Sequence, residues 1–297
     1  MNLHAATSES ELERIFDDAK SGNIKAFGPK TYLLRDAQQR TPMHYIAKNG
    51  HLKKVPKMYL TKQHLLARDV PDSFTPVDYA AGSGHLKQIP VAILKETISL
   101  RAYRLAMENG HGDQLPSKLL SVNDAVLTND AGWSLLHTAA ETGNLNIMPA
   151  KALTSENMTR KVSRWGTTPL YLAVTSGHID QVPQELLTPQ NLLVSKNTRF
   201  QILDVLLQQG ELAVIPKSVL EDPSVFNYLL QNPLIKSDPK MGVQFANISR
   251  PAGKAYSLEA YNVAVNIGTY KWPEPKKVQA PTPAAPSGDD NLSSLFC

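Results

Sequence analysis

The chain has 297 residues, 42% hydrophobic and 20% charged, the balance of an ordinary soluble globular protein that can bury a sizeable core. Its formal net charge of +4 comes from Lys and Arg interleaved with Asp and Glu, a solvated-surface pattern that does not point to a nucleic-acid site. The single cysteine, Cys297, excludes an intramolecular disulfide and a cysteine zinc cluster, and no uninterrupted apolar run is long enough to span a membrane, so a reducing, cytoplasmic setting is expected.

The first residues turn acidic at Glu9, Glu11 and Glu13 without a basic start or an apolar run, so no signal peptide is expected. Residues 10–34 read as a capping unit of a repeat domain that fills residues 1–232. The repeat is first seen in glycines followed by a polar and an apolar residue: Gly22-Asn23-Ile24, Gly50-His51-Leu52, Gly84-His85-Leu86, Gly110-His111, Gly143-Asn144-Leu145, Gly177-His178-Ile179 and Gly210-Glu211-Leu212. Their spacings are 28, 34, 26, 33, 34 and 33. Two units are therefore short. Six residues after each glycine from the second onward stands a proline behind an apolar residue: Pro56, Pro90, Pro116, Pro149, Pro183 and Pro216. This register holds in a short unit too, so the missing residues must lie elsewhere.

Upstream of the glycines run Thr41-Pro42-Met43-His44-Tyr45-Ile46-Ala47, Thr75-Pro76-Val77-Asp78-Tyr79-Ala80-Ala81, Ser134-Leu135-Leu136-His137-Thr138-Ala139-Ala140 and Thr168-Pro169-Leu170-Tyr171-Leu172-Ala173-Val174. The hydroxyl residue caps a helix and proline suits its first position. Alanines follow where neighbouring helices must approach, and glycine ends the helix in a left-handed conformation. Such a helix-turn-helix unit cannot bury its apolar face alone, so the units must stack into a solenoid. These segments and their period resemble the ankyrin repeat, whose signature is T-P-L-H-x-A, over roughly residues 11–231. The resemblance implies a mainly α solenoid of about six to seven units with a row of projecting turns along one edge. The recurring proline departs from the family, because it falls where the second helix is normally mid-course and breaks it at about 3 kcal/mol. The sequence predicts a short turn after each glycine, a new helix starting at each proline, and a capped extra turn at Thr61, Thr154 and Thr188.

Candidate chemistry is sparse. His51, His85, His111 and His178 share one repeat position and His44 and His137 another, which suits side chains bonding a neighbouring turn better than catalysis. No signature of hydrolysis, nucleotide binding or metal ligation occurs, so no catalytic residue, cofactor or metal is expected. The turns between units offer partner-binding candidates instead: Arg40, Phe74, Asp130, Trp133, Arg164 and Trp165. Arg40, Phe74 and Trp133 occupy one equivalent slot, which varies as a contact position would, and tryptophan at an edge is a frequent interface anchor.

Beyond residue 232 the repeat fades. Residues 233–272 read as a small mixed cap segment, with candidate strands around Phe245 and Val265 and a helix start at Ser257. Residues 273–297 are Pro/Ala-rich and predicted to be a disordered tail. It closes on Asp289-Asp290-Asn291-Leu292-Ser293-Ser294-Leu295-Phe296, where exposed Leu292, Leu295 and Phe296 suggest a docking motif. The run loosely resembles the Q-L-x-L-F peptides that dock into bacterial sliding clamps, with Asn291 in place of glutamine and one residue extra.

Taken together, the expectation is a scaffold or adaptor that binds a protein partner along the turn edge and adjoining helix face. Two alternatives stand beside it. Residues 241–272 are then the active element of an enzyme or inhibitor carried by the repeats, or the tail docks to a clamp-like protein. A nucleic-acid reading would rest on Lys53, Lys54, Lys57 and Lys62 and predicts salt-dependent retention on DNA.

Overall fold

The computed structural model describes residues 9–162, 166–197, 200–233 and 235, so the predicted tail and all of the predicted cap segment but residues 233 and 235 lie outside the described residues. Seven inner helices follow one another: α1 (Glu9–Ser21), α2 (Pro42–Lys48), α3 (Pro76–Gly82), α4 (Leu100–Glu108), α5 (Leu135–Thr142), α6 (Pro169–Thr175) and α7 (Ile202–Gln209). Each is followed within two residues by a glycine at φ between +70° and +77°: Gly22, Gly50, Gly84, Gly110, Gly143, Gly177 and Gly210. A further helix, α8 (Pro223–Gln231), closes the described part.

The start of each repeated helix is set by its cap. Thr41, Thr75, Ser134 and Thr168 are extended, and Pro42, Pro76 and Pro169 occupy the first helical positions, where a missing N–H costs nothing. The third helical residue reaches back to complete a capping box: the Asp78 carboxylate accepts the Thr75 N–H at 2.9 Å, and His44 Nδ1 accepts the Thr41 N–H at 2.9 Å. Ala47, Ala80, Ala81, Ala139, Ala140 and Ala173 are completely buried, which lets α2, α3, α5 and α6 approach closely. Neighbouring inner helices pack in sequence from α1 to α7 around one continuous apolar core, the nearest-neighbour arrangement of a solenoid.

After each glycine from Gly50 onward comes a single 3-10 turn, such as Leu52–Lys54 or Leu145–Ile147, whose first Leu is fully buried. Each proline then caps the next element, but a new α-helix at every proline is not what forms. A second 3-10 turn forms in four units, Lys57–Tyr59, Ser117–Leu119, Ala150–Ala152 and Gln184–Leu186, and a helix in two, Val91–Thr97 and Lys217–Leu220. The reason is the next cap. Thr61, Ser121, Thr154 and Thr188 sit five residues after the proline and start the short helices Lys62–Leu65, Val122–Val126, Ser155–Met158 and Pro189–Leu192. Between proline and cap there is room for one i→i+3 turn and no more. In the third unit no such cap comes after Pro90, and the helix runs to Thr97.

Candidate functional site

Four connections between units, residues 36–40, 69–74, 129–133 and 162–167, close in the same way. The first residue's N–H donates to the last residue's carbonyl: Asp36 to Arg40, Asp69 to Phe74 and Asn129 to Trp133 at 3.0 Å, and Val162 to Thr167 at 2.9 Å. The residue before the last is left-handed in every case: Gln39, Ser73, Gly132 and Gly166. A fifth connection forms a two-stranded antiparallel ribbon, β1 (Ser195–Asn197) and β2 (Phe200–Gln201).

An Asp or Asn heads each of the first three hairpins and pins it. Asp36 Oδ1 accepts the N–H groups of Gln38 and Arg40, Asp69 Oδ1 that of Phe74, and Asn129 Oδ1 those of Ala131 and Trp133. The second carboxylate oxygen ties the hairpin to its inner helix, since Tyr45 donates to Asp36 at 2.6 Å and Tyr79 to Asp69 at 2.7 Å. Burial and the hydrogen bond to Asp69 push the Tyr79 hydroxyl up to about 12, so it stays a donor at any ordinary pH. Asn129 has no such tyrosine. There Trp133 Nε1 donates to Thr138 Oγ1 at 3.0 Å, and its ring lies over His137 with centroids 5.2 Å apart. The first two hairpins are also joined to each other by Val70 N–H donating to the Gln38 carbonyl at 2.9 Å.

The partner-binding candidates therefore have different surroundings. Arg40 is wedged between the rings of Tyr45 and Tyr79, with Nε 3.4 Å from Asp69, and fastens one hairpin to the next. Phe74 is half-buried, edge-on to Tyr79, with the Arg101 guanidinium over its ring at 5.2 Å. Trp133 is half-buried on the core and Asp130 is exposed at its hairpin tip. Arg164 and Trp165 lie outside the described residues, as do Leu292, Leu295 and Phe296. Sequence reading missed Arg101, which donates to the carbonyls of Asp72 and Ser73 at 3.0 and 3.1 Å. It begins the one inner helix among α2–α7 that has no hairpin or ribbon before it, which was the available signal.

The histidines of the two repeat positions are structural. His44 holds its own cap through Nδ1 and reaches the Phe74 carbonyl of the next hairpin through Nε2 at 3.3 Å. Burial lowers its pKa, and burial pushes His137 down to about 4. At the other position, the rings of His51, His85, His111 and His178 each pack against the left-handed glycine of an earlier unit, Gly22, Gly50, Gly84 and Gly143. A glutamine or lysine three residues on adds a bond: Gln88 accepts the Lys53 N–H, Gln181 accepts the Leu145 N–H, and Lys54 Nζ donates to the Gly22 carbonyl. Lys62 pairs with Glu96 at 2.8 Å, so two of the four lysines of the nucleic-acid reading are engaged within the fold. Among the described residues no helix is long and apolar enough to cross a membrane, and no group of three His, Cys, Asp or Glu could hold a metal ion.

Stacked helix-turn-helix units joined by hairpins make this a helical repeat solenoid. The family model for ankyrin repeats matches residues 104–197 as three copies, a stretch that runs from the end of α4 through α5 and α6 to β1. Residues 104–197 of the chain are therefore ankyrin repeats. The second and third units lie outside that match yet have the same cap, glycine and proline geometry. Ankyrin repeats are in general protein-interaction modules. No curated protein matches the chain.

Proposed function

We propose that the chain is a non-enzymatic scaffold of the cytoplasm that holds a protein partner along its hairpin edge and the adjoining face of the inner helices. One observation carries this reading. Arg40, Phe74 and Trp133 recur in one slot of successive hairpins, each packed on the fold on one side and leaving part of its surface to solvent. Half-buried aromatic and arginine side chains on a rigid frame are the usual energetic anchors of interfaces, because little conformational entropy is lost when they are covered. Asp130, exposed at a tip, extends the same edge, and Arg164 and Trp165, which lie outside the described residues, are carried as further candidates from the sequence.

The test is capture from native lysate with full-length bait, comparing the wild type with a Phe74→Ala, Asp130→Arg variant. The reading expects at least one specific partner to be lost while the melting temperature moves by no more than a few degrees. If every partner is retained by this variant, the hairpin edge is not the binding surface.

A further inference from the structure

The two short units differ in what they lack. In the first, the turn Thr31–Leu33 runs straight into the hairpin at residue 36, without the capped short helix that comes before the hairpin in the second unit. In the third, the hairpin itself is missing: the helix Val91–Thr97 is followed at once by Ser99, the cap of α4. Beside each shortened unit lies a groove bounded by the full-length unit next to it.

Chemically the grooves are not alike. The first, about 310 Å³, includes Arg35 and Lys62, and both cations are committed. Arg35 donates to the carbonyls of Gln39 and Arg68, and Lys62 pairs with Glu96. The second, about 560 Å³, is lined by Ile98, Leu100, Leu119 and Leu120 together with Lys95 and Lys118. Both of these lysines are exposed, and neither forms an ion pair among the described residues. Its remaining polar groups are occupied. Asp124 accepts the Ser121 hydroxyl at 2.6 Å, and Tyr103 donates to the Pro116 carbonyl at 2.9 Å.

A groove that sets Ile98, Leu100 and Leu119 beside two cations outside any ion pair suits a peptide that combines apolar and acidic residues. The chain contains such a sequence: Asp289 and Asp290, then Leu292, Leu295 and Phe296. We propose that residues 289–296 dock in this groove of the same chain, with the aspartates toward Lys95 and Lys118 and the leucines and phenylalanine against Ile98, Leu100 and Leu119. The intervening residues, 236–288, can extend to at most about 190 Å, several times the breadth of a domain of this size. Tethering raises the segment's effective concentration to about the millimolar range, so a modest contact is enough. This site is separate from the hairpin edge and stands or falls independently of it.

Cys297, the single cysteine, adjoins Phe296 and allows a direct test on the full chain. A benzophenone maleimide attached there is photolysed in dilute protein, and the crosslinked peptides are mapped by mass spectrometry. The expected product is monomer-sized and joins Cys297 to residues 95–124. Asp289→Lys with Asp290→Lys, or Leu295→Asp with Phe296→Asp, should reduce it about fivefold or more without touching the repeat array. Crosslinks scattered over the surface, or unaffected by both pairs of substitutions, would overturn the proposal. So would a dimer-sized product, which would place the segment on a second copy.

Discussion

Two hairpins carry a backbone conformation their residues dislike. Gln39 (φ 58°) and Ser73 (φ 56°) occupy the left-handed position that glycine fills as Gly132 and Gly166 in the later hairpins. A left-handed non-glycine residue costs about 1–2 kcal/mol, against about 0.5–1 kcal/mol for glycine's extra chain entropy. Gln39→Gly and Ser73→Gly should therefore each raise stability by about 0.5–1 kcal/mol in urea unfolding. Acid should do the opposite. Burial lowers the pKa of His44, His64, His85 and His137 in the folded chain, so the unfolded chain binds more protons as pH falls. Their contribution is complete above the unfolded value of about 6.5 and is lost as pH drops through and below it, with His137 protonating in place only at about 4. For His137 alone this amounts to about 2 kcal/mol at pH 5. Urea midpoints at pH 7 and pH 5 should show the loss, and His137→Gln should flatten it. A pH-independent midpoint would contradict the assignment.

At the scale of the element, the glycine after each inner helix has two jobs that substitution can separate. Gly50 and Gly110 have nearly the same φ, +76° and +77°. A Cβ on Gly50 would lie 2.8 Å from the His85 ring, whereas one on Gly110 would meet nothing within 4 Å. Gly110→Ala should cost about 1–2 kcal/mol for conformation alone, and Gly50→Ala about 1–3 kcal/mol more, because the imidazole of the next unit must move. Equal losses in chemical denaturation would show that the histidine does not hold the units together. The helix starts and glycine ends of these elements were legible in the sequence because they are local: a cap, a proline and a left-handed residue each act within one turn. The second half of the unit was only partly legible. Proline signalled the break, but whether a helix or a single 3-10 turn forms after it depends on the distance to the next cap, and Ser121 is inconspicuous as a cap until Asp124 is seen donating its N–H to it.

For the whole molecule, the period of the glycines was enough to read stacking, since a repeat that cannot fold alone has few other arrangements. The candidate edge was less legible. Asp130 lies exposed as a tip residue should, but Arg40 is drawn in by Asp69 and two tyrosines, and its ion pair spans 29 residues of sequence, a contact between units that no local pattern encodes. Arg101 enters the edge only because the third unit lacks its hairpin. Whether the hairpin edge is the surface that meets a partner is tested most directly by a photo-crosslinking amino acid in the full-length chain in cells. It is placed at position 130, on a hairpin tip, or at position 151, an exposed residue of the turn Ala150–Ala152. A partner held along the edge gives a discrete crosslinked protein from position 130 and none from position 151. Crosslinks from 151 with none from 130 would contradict it.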